Sequence, residues 1–326
     1  MLYVSLFGKL ELDEEIVKEI KKVIISEKRH LNDVDLTSQQ RNEEVIRIDL
    51  SNANLSNADL SNADLSNANL SNADLSNADL SNADLSNADL SNAQLRGAKF
   101  QKAIYTLKTK FPLNFNPCCQ GMYLIAPNSD LTGADFTGAI LNYADFTGAI
   151  LNYANLIAAE LYGTNLKYAI LYNANLNYAN LERANLTGAK LNGAELFAAK
   201  FQKAIYTLTT EFPLNFNPCC QGMYLIASNS NLRGAILYNA DLTDAYLSDA
   251  NLRGAILYNA DLTDAYLSDA DLTGADLTAA ILKGANLSGA ILYKADLIGA
   301  NLTDADLTNA NLRPSFRESL CSVVEA

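Results

Sequence analysis

Residues 58–67 read ADLSNADLSN, and the same five-residue unit recurs along most of the 326-residue chain. Leucine stands at every fifth position from Leu50 to Leu95, and an alanine stands two residues before nearly every one of them. The unit is therefore A(D/N)LSN, a small residue, a polar residue, a large apolar residue and two residues that favour turns. A repeat at a fixed short period determines the architecture, so it is interpreted before any other signal.

The period of five excludes an α-helix and favours very short strands. Five residues turn a helix by about 500°, a net offset of about 140°, which would scatter the leucines around the cylinder. In an extended segment, alanine and leucine two residues apart lie on the same face, and the residue between them points outward. The Ser-Asn or Thr-Gly pair then turns the chain, because Asn and Gly accept a positive φ.

The number of sides in one coil follows from a longer repeat. Residues 231–250 read NLRGAILYNADLTDAYLSDA, and residues 251–270 repeat them without change. A period of twenty contains four five-residue units, which predicts a square coil with four inward leucines. Coils of this kind pair with the coils above and below, so we expect an all-β solenoid, a four-sided parallel β-helix.

These features resemble the pentapeptide-repeat family, and the resemblance extends from about Ile48 to Leu312. The resemblance implies that the β-helix is right-handed and quadrilateral. The segment TKFPLNFNPCCQG at 109–121 also resembles a loop of cyanobacterial members, which implies a cyanobacterial source.

Two near copies of one segment interrupt the leucine register. The sequence KFQKAIYTLKTKFPLNFNPCCQGMYLIA at 99–126 recurs at 200–227, with Lys108 replaced by Thr209 and Lys110 by Glu211. Each is either a loop whose small apolar cluster shields a corner or a knob that docks a partner. The cluster comprises Phe111, Phe115, Met122 and Tyr123 in the first copy.

The interruptions divide the predicted β-helix, residues 45–312, into three blocks separated by two homologous inserts. The blocks are 45–105, 131–206 and 232–312, and the inserts are 106–130 and 207–231. Roughly 45 repeats at four per coil predict a stack of about eleven coils. Whether an insert occupies one side or a full coil stays open, because both choices preserve the four-sided register.

The two ends differ from the repeats. The N-terminal segment, residues 1–44, contains LDEEIVKEIKKVIISEK at 12–28, an amphipathic pattern that predicts an α-helix capping the open end of the solenoid. A separate partner-binding or oligomerising helix is the alternative. Residues 313–326, which begin just before Pro314, form a cap or tail. The family resemblance implies a homodimer through a solenoid end.

The charge and the hydropathy limit the partners. The formal charge is −13, which argues against direct nucleic-acid binding, because phosphate backbones are bound by clustered Lys and Arg. We find no secretory signal in MLYVSLFGKL and no apolar run of membrane-spanning length, so we expect a cytoplasmic protein that does not enter a membrane. The partner predicted is a protein of unknown identity.

No catalytic motif is present in the sequence. It contains no phosphate-binding glycine loop, no zinc-type Cys/His spacing and no nucleophile elbow. His30 is the single histidine, and its polar surroundings predict a solvated side chain. We therefore expect no enzyme activity, no cofactor and no metal.

Five cysteines include two adjacent pairs, Cys118 with Cys119 and Cys219 with Cys220. Each pair could close a strained disulfide ring, coordinate a soft metal, or remain as reduced thiols partly buried in the insert. The reduced thiols are favoured.

Aspartates at the outward position of the first block form a candidate acidic surface. They are Asp59, Asp64, Asp74, Asp79, Asp84 and Asp89, and residues 49–95 contain no Lys or Arg. A solubilising coat explains them without a partner. The alternative comes from the resemblance, because some family members inhibit DNA gyrase by resembling B-form DNA.

The sequence thus favours a non-catalytic, rigid scaffold for protein–protein interaction. A DNA-mimicking inhibitor of gyrase or topoisomerase is the first alternative, and a protein that responds to thiol oxidation is the second.

Overall fold

The computed structural model describes residues 49–312, which fall into two compact units, unit 1 with residues 49–140 and unit 2 with residues 141–312. The predicted helix at 12–28, His30 and the C-terminal segment 313–326 lie outside the described residues.

Each five-residue unit makes one side and one corner of a coil. At a typical corner, the Ala58 amide donates to the Leu55 carbonyl at 3.1 Å, and Asn57 between them has φ of 60°. This positive φ at the third residue of a turn is the conformation that Asn tolerates well. The side chain of Asn54 accepts the Ser56 amide at 3.1 Å, so the residue that points outward also satisfies the corner.

Backbone hydrogen bonds join each side to the side twenty residues further along the chain. The Asp74 amide donates to the Ala53 carbonyl at 2.9 Å, and the Asp74 carbonyl accepts the Leu55 amide at 2.7 Å. In unit 1 these parallel bridges form four columns, which begin at Asp49, Asn54, Asp59 and Asp64. The four-sided coil predicted from the twenty-residue period is therefore present.

Among residues 49–312, the strands and helices lie within the two inserts or directly before them. Strand β1 (Ile104–Tyr105) pairs in parallel with β2 (Tyr123–Leu124), and β3 (Ile205–Tyr206) pairs in parallel with β4 (Tyr224–Leu225). Two short 3-10 helices complete them, Pro117–Gln120 and Pro218–Gln221. In the other described repeats the paired segment shortens to a single residue, because a corner follows at once.

Leucines and alanines fill the interior of both units. Leu75 and Ala78 in unit 1 are fully buried, as are Leu257 and Ala260 in unit 2. Alanine lines the wall because a longer side chain would overfill the narrow space between facing leucines.

Some corners of unit 2 carry side chains that rarely adopt a positive φ. Tyr143 has φ of 59° and Arg183 also has φ of 59°, whereas the sequence pattern predicts only Asn or Gly there. The Tyr143 ring lies over Gly163 of the next coil, where an added Cβ would come within 2.7 Å of a ring carbon. Glycine at 163 therefore leaves the space that the aromatic corner needs.

Each insert forms a full coil instead of a single side. Lys110 bridges Asp89, 21 residues earlier, and Tyr123 pairs with Ile104, 19 residues earlier. The chain gains one residue on the first side of the insert, loses two between Lys110 and Tyr123, and returns to the ladder at β2. The full coil is thus the alternative that the structure selects.

The coils of unit 2 do not form one continuous ladder. Among residues 141–312, no β-bridge joins a coil before the second insert to a coil after it. Instead, Lys167 Nζ donates to Thr243 Oγ1 at 2.7 Å, and the Arg183 guanidinium lies 4.2 Å from the Tyr238 ring centroid. The ladder that follows the insert therefore starts beside the wall of the earlier one, and the continuous stack expected from the period is wrong here.

One of the two positions at which the insert copies differ contacts the coil before it. Lys110 forms an ion pair with Asp89 at 2.8 Å, and in the second copy Glu211 bridges Lys190. The charges are exchanged between neighbouring coils, so a basic residue faces an acidic one in both copies. At the other position, Thr209 Oγ1 lies 2.9 Å from Thr207 Oγ1.

Buried and exposed leucines of the first unit should differ strongly in their contribution to stability. We expect Leu85→Ala, at a fully buried position, to lower the free energy of unfolding by about 2–5 kcal/mol, because it leaves a cavity. The control, Leu107→Ala, removes a side chain that is 77% exposed and should change it by less than about 0.5 kcal/mol. Urea unfolding followed by circular dichroism measures both, and equal losses would contradict the assignment of the core.

The ion pair at the first insert should give a defined pH dependence. Lys110 holds the pKa of Asp89 at about 2, below the ordinary value of 3.8, with help from Ser91. A lowered folded pKa stabilises the protein above about pH 4, and this stabilisation disappears as the pH falls towards 2. Because Lys110 is largely exposed, we expect Lys110→Met to cost only about 0.5 kcal/mol at pH 7 and nothing near pH 2.

The exchange of charges supplies a matched control for that experiment. Lys110→Glu alone should destabilise unit 1 at pH 7, since it places Glu beside Asp89. Adding Asp89→Lys should restore only part of the stability, because it also removes the carboxylate that accepts the Ser91 amide. Urea midpoints at pH 7 and at pH 2.5 measure the effect. A double variant no more stable than Lys110→Glu would rule out the pair.

Candidate functional site

Each insert closes the end of a leucine core with aromatic rings. Tyr105 occupies a leucine position of the register, and Phe111 meets its ring edge-on at 5.6 Å. Phe111 stacks on Phe115 at 5.0 Å, and Phe115 meets Phe100 edge-on at 5.2 Å. The second copy repeats these three contacts at 5.6, 4.9 and 5.2 Å. The cluster therefore covers the end of the core, which is more than the shielding of one corner.

The remaining members of the predicted cluster have different neighbours. Met122 is buried and belongs to the core of unit 1. The Tyr123 ring instead meets Phe136 at 5.0 Å, and its hydroxyl accepts the Asp135 amide at 3.3 Å. Asp135 also binds Lys102 at 2.6 Å, so this group holds the chain that leaves the insert.

The outer tip of each insert exposes one leucine and carries no charge. Leu113 is 92% exposed and its counterpart Leu214 is 93% exposed. Residues 111–129 and 212–230 contain no Asp, Glu, Lys or Arg. These leucines were not predicted as functional residues, although each stands between Pro and Asn in a segment that lacks the five-residue period.

The adjacent cysteines lie in the short 3-10 helices. Asn116 caps the first helix by accepting the Cys118 amide at 3.1 Å, and Gly121 ends it with φ of 69°. Cys118 and Cys119 are exposed free thiols, as are Cys219 and Cys220 in the second copy. The expectation that these thiols are partly buried is therefore wrong.

A buried tyrosine lies beneath one thiol of each pair. The Tyr105 hydroxyl is 3.5 Å from Cys118 Sγ, and the Tyr206 hydroxyl is 3.5 Å from Cys219 Sγ. Burial first, and then the contact with Cys219, raises the pKa of Tyr206 to about 12. The same causes raise the pKa of Tyr105. Both phenols are thus neutral near pH 7 and carry a proton that can be donated to sulfur.

The predicted acidic residues serve the corners next to them. In each case the carboxylate accepts the amide of the serine two residues later, at 2.8–3.0 Å, and this holds for Asp59, Asp64, Asp74, Asp79, Asp84 and Asp89. Hydrogen bonds from Ser76 lower the pKa of Asp74, and those from Ser81 lower the pKa of Asp79. Because the six residues occupy all four columns, the structure does not gather them on one face.

Residues 49–312 lack a metal-binding cluster and a membrane-spanning helix. They contain no group of three or more His, Cys, Asp or Glu side chains arranged to hold a metal ion. None of their helices is long and apolar enough to cross a bilayer.

The chain matches the sequence profile of the pentapeptide repeats over most of its length. The matched residues are 46–82, 73–104, 129–167, 169–205, 226–254, 245–284 and 280–313. A search of curated proteins found no match.

Three solved structures are similar to the chain, and two of them are described as pentapeptide-repeat proteins. HetL, described as involved in heterocyst differentiation regulation in the cyanobacterium Nostoc sp. strain PCC 7120, is 31% identical, with 74% of this chain and 90% of HetL covered and a TM-score of 0.25. The Nostoc protein alr5209 is 38% identical over 30% of this chain and 85% of its own, with a TM-score of 0.23. QnrB1, a plasmid-mediated fluoroquinolone resistance protein, is 22% identical over 57% of this chain and 85% of its own, with a TM-score of 0.26.

Members of this family fold as right-handed quadrilateral β-helices, and the four columns of bridges agree with that architecture. The profile matches more than half of the residues, and the 31% identity to HetL extends over 74% of the chain. The chain therefore belongs to the pentapeptide-repeat family.

Proposed function

We propose that this chain is a non-catalytic scaffold that binds a protein partner through the tips of its two inserts. The observation that carries the proposal is the pair of leucines, Leu113 and Leu214, each more than 90% exposed at the same place in both copies. A single exposed leucine on a protein surface is ordinary. Two copies in identical surroundings, within segments that carry no charge, are not explained by the fold.

The differences between the copies support a role for the tips. Only two positions differ over 28 residues, and one of them, Lys110 in the first copy and Glu211 in the second, pairs with the preceding coil at Asp89 or Lys190. The tip residues from Phe111 to Ala126 are identical to those from Phe212 to Ala227. Each insert has therefore adapted to its support while the tip stayed the same.

The binding free energy that one tip can supply is small, so each tip would make a weak contact and the chain would bind through both. Burying one leucine side chain contributes about 1.5–3 kcal/mol, which alone gives modest affinity. Two identical contacts on one chain raise the overall affinity when a partner or a partner oligomer can engage both. The partner expected is a protein with an apolar, uncharged pocket.

The repeats themselves support a scaffold without catalysis. Their outward carboxylates accept amide hydrogen bonds from the corners, as Asp74 does from Ser76 at 2.9 Å. A carboxylate held in this way has a lowered pKa, which is poorly suited to general acid–base chemistry near neutral pH. Cytoplasmic location and a homodimer through a solenoid end stay predictions.

The acidic first block keeps DNA mimicry as a second candidate. Residues 49–95 contain seven aspartates and no basic residue, a charge density that could substitute for a phosphate backbone. Against it, the bridge columns place aspartates on all four sides, whereas a DNA-like surface needs them along one groove-like face. The scaffold is therefore preferred.

A capture experiment tests the docking tips. We expect Leu113→Ser with Leu214→Ser to abolish a partner interaction that the wild-type chain shows, and either single change to weaken it at least tenfold through loss of avidity. Quantitative affinity capture identifies the partner, and calorimetry with the purified partner measures binding. The control is Tyr153→Ser, which removes a large exposed side chain outside the inserts. Unchanged binding by the double variant would refute the proposal.

A supercoiling assay separates the second candidate. The scaffold predicts no change in supercoiling by DNA gyrase at micromolar protein. If gyrase is inhibited, and Asp64→Asn with Asp84→Asn relieves the inhibition, DNA mimicry replaces the scaffold.

A further inference from the structure

We propose that each adjacent cysteine pair, Cys118 with Cys119 and Cys219 with Cys220, is a binding site for a trivalent arsenic centre held by both thiols. The inference goes beyond the scaffold function and does not depend on the tip leucines. It rests on the exposure of the thiols, on the rigid backbone that carries them and on the buried tyrosine beneath each pair.

The backbone of each pair is fixed by local hydrogen bonds. Asn116 accepts the Cys118 amide through its side chain at 3.1 Å and the Cys119 amide through its carbonyl at 3.2 Å. Pro117 precedes the pair, and the Met122 amide donates to the Pro117 carbonyl at 3.4 Å. The thiols therefore project from a backbone that loses little freedom when a ligand bridges them, which favours binding.

The spacing of adjacent residues disfavours a disulfide within the pair. Consecutive Cα atoms are about 3.8 Å apart across a trans peptide, whereas disulfides join Cα atoms about 4.4–6.8 Å apart. An atom that bridges the two sulfurs replaces the single S–S bond by two bonds, each of about 2.3 Å if they are as long as a zinc–thiolate bond. The larger ring relaxes the constraint on the Cα–Cα distance. The pair is thus better suited to a bridging atom than to oxidation.

The number of ligands selects the kind of atom. Structural zinc needs four protein ligands, and residues 49–312 offer no cluster of even three candidate side chains. Trivalent arsenic needs only two protein sulfurs, because its third valence can keep an oxygen or carbon substituent that faces solvent. Both thiols of each pair are exposed, so that substituent has room.

Tyr105 and Tyr206 act as positioning residues. The Tyr105 hydroxyl lies 3.5 Å from Cys118 Sγ, and the side chain is buried, with only 8% exposed. Its ring is held edge-on by Phe111 at 5.6 Å. The hydroxyl can donate to the sulfur and fix its rotamer, leaving the second sulfur free to turn towards the bound atom.

The reaction is a condensation without electron transfer. Arsenous acid exchanges two As–O bonds for two As–S bonds, and each departing hydroxide leaves as water with one thiol proton. With phenylarsine oxide, the oxide oxygen leaves as one water molecule with both thiol protons. Arsenic stays trivalent throughout, so no oxidant or reductant is required.

Native mass spectrometry of the full chain tests the proposal. In a Cys321→Ser background, which removes the unpaired cysteine, phenylarsine oxide should form two adducts per chain. Both should survive excess glutathione, a monothiol, and both should be removed by dithiothreitol. Fewer than two adducts, or loss of adducts to glutathione, would overturn the assignment.

Two sets of variants locate the sites. Cys119→Ser should remove one glutathione-resistant adduct and leave the other, and Cys220→Ser added to it should remove both; Cys118→Ser is the alternative if the first change disturbs folding. Tyr105→Phe with Tyr206→Phe should keep two adducts and an unchanged urea midpoint, but release arsenic about fivefold faster, as expected for one lost hydrogen bond. A resistant adduct on a single remaining cysteine would contradict the pairing, and an unchanged release rate would contradict the role of the tyrosines.

Discussion

The corner with a positive φ is the constraint on which the rest of the structure depends. Every side must bury one leucine and one alanine while its backbone groups pair with the neighbouring coils, as Asp74 does with Ala53 and Leu55. Both conditions can hold only if the chain turns sharply after each leucine. In many repeats the residue before the leucine also accepts an amide of the turn, as Asn54 does for Ser56. Aspartate and asparagine at the outward position are thus first of all parts of the corner.

The same constraint creates a problem wherever a ladder ends, because the last coil leaves apolar side chains without a partner. Each insert solves it with rings larger than leucine, Phe111 and Phe115 in unit 1 and their counterparts in unit 2. Within unit 2 the chain then begins a new ladder beside the old wall, where Lys167 reaches Thr243. The insert is therefore both a terminus and a starting point, and only its tip remains available for other molecules.

The period of the sequence was sufficient to predict the four columns, because inward leucine and alanine and a turn-prone pair are local properties of each unit. Features that depend on residues twenty or more positions apart could not be predicted in this way. Tyr143 adopts a positive φ beside Gly163 of the next coil, and neither residue indicates this alone. The contact of Lys167 with Thr243 depends on how the insert redirects the chain. The exposure of the cysteines was mispredicted because a 3-10 helix does not follow the five-residue period.

The departure of each insert from the twenty-residue period has a consequence for the whole register. The residue numbers of the core positions are multiples of five up to Tyr105, one more than a multiple of five from Leu131, and two more from Leu232. An ADLSN repeat cannot absorb such a phase slip, since a single inserted residue would put the outward Asp or Asn where leucine belongs. The insert can absorb it, because its own pairings depart from a separation of 20, to 21 between Lys110 and Asp89 and to 19 between Tyr123 and Ile104. The phase of the leucines therefore records how many inserts precede any given coil.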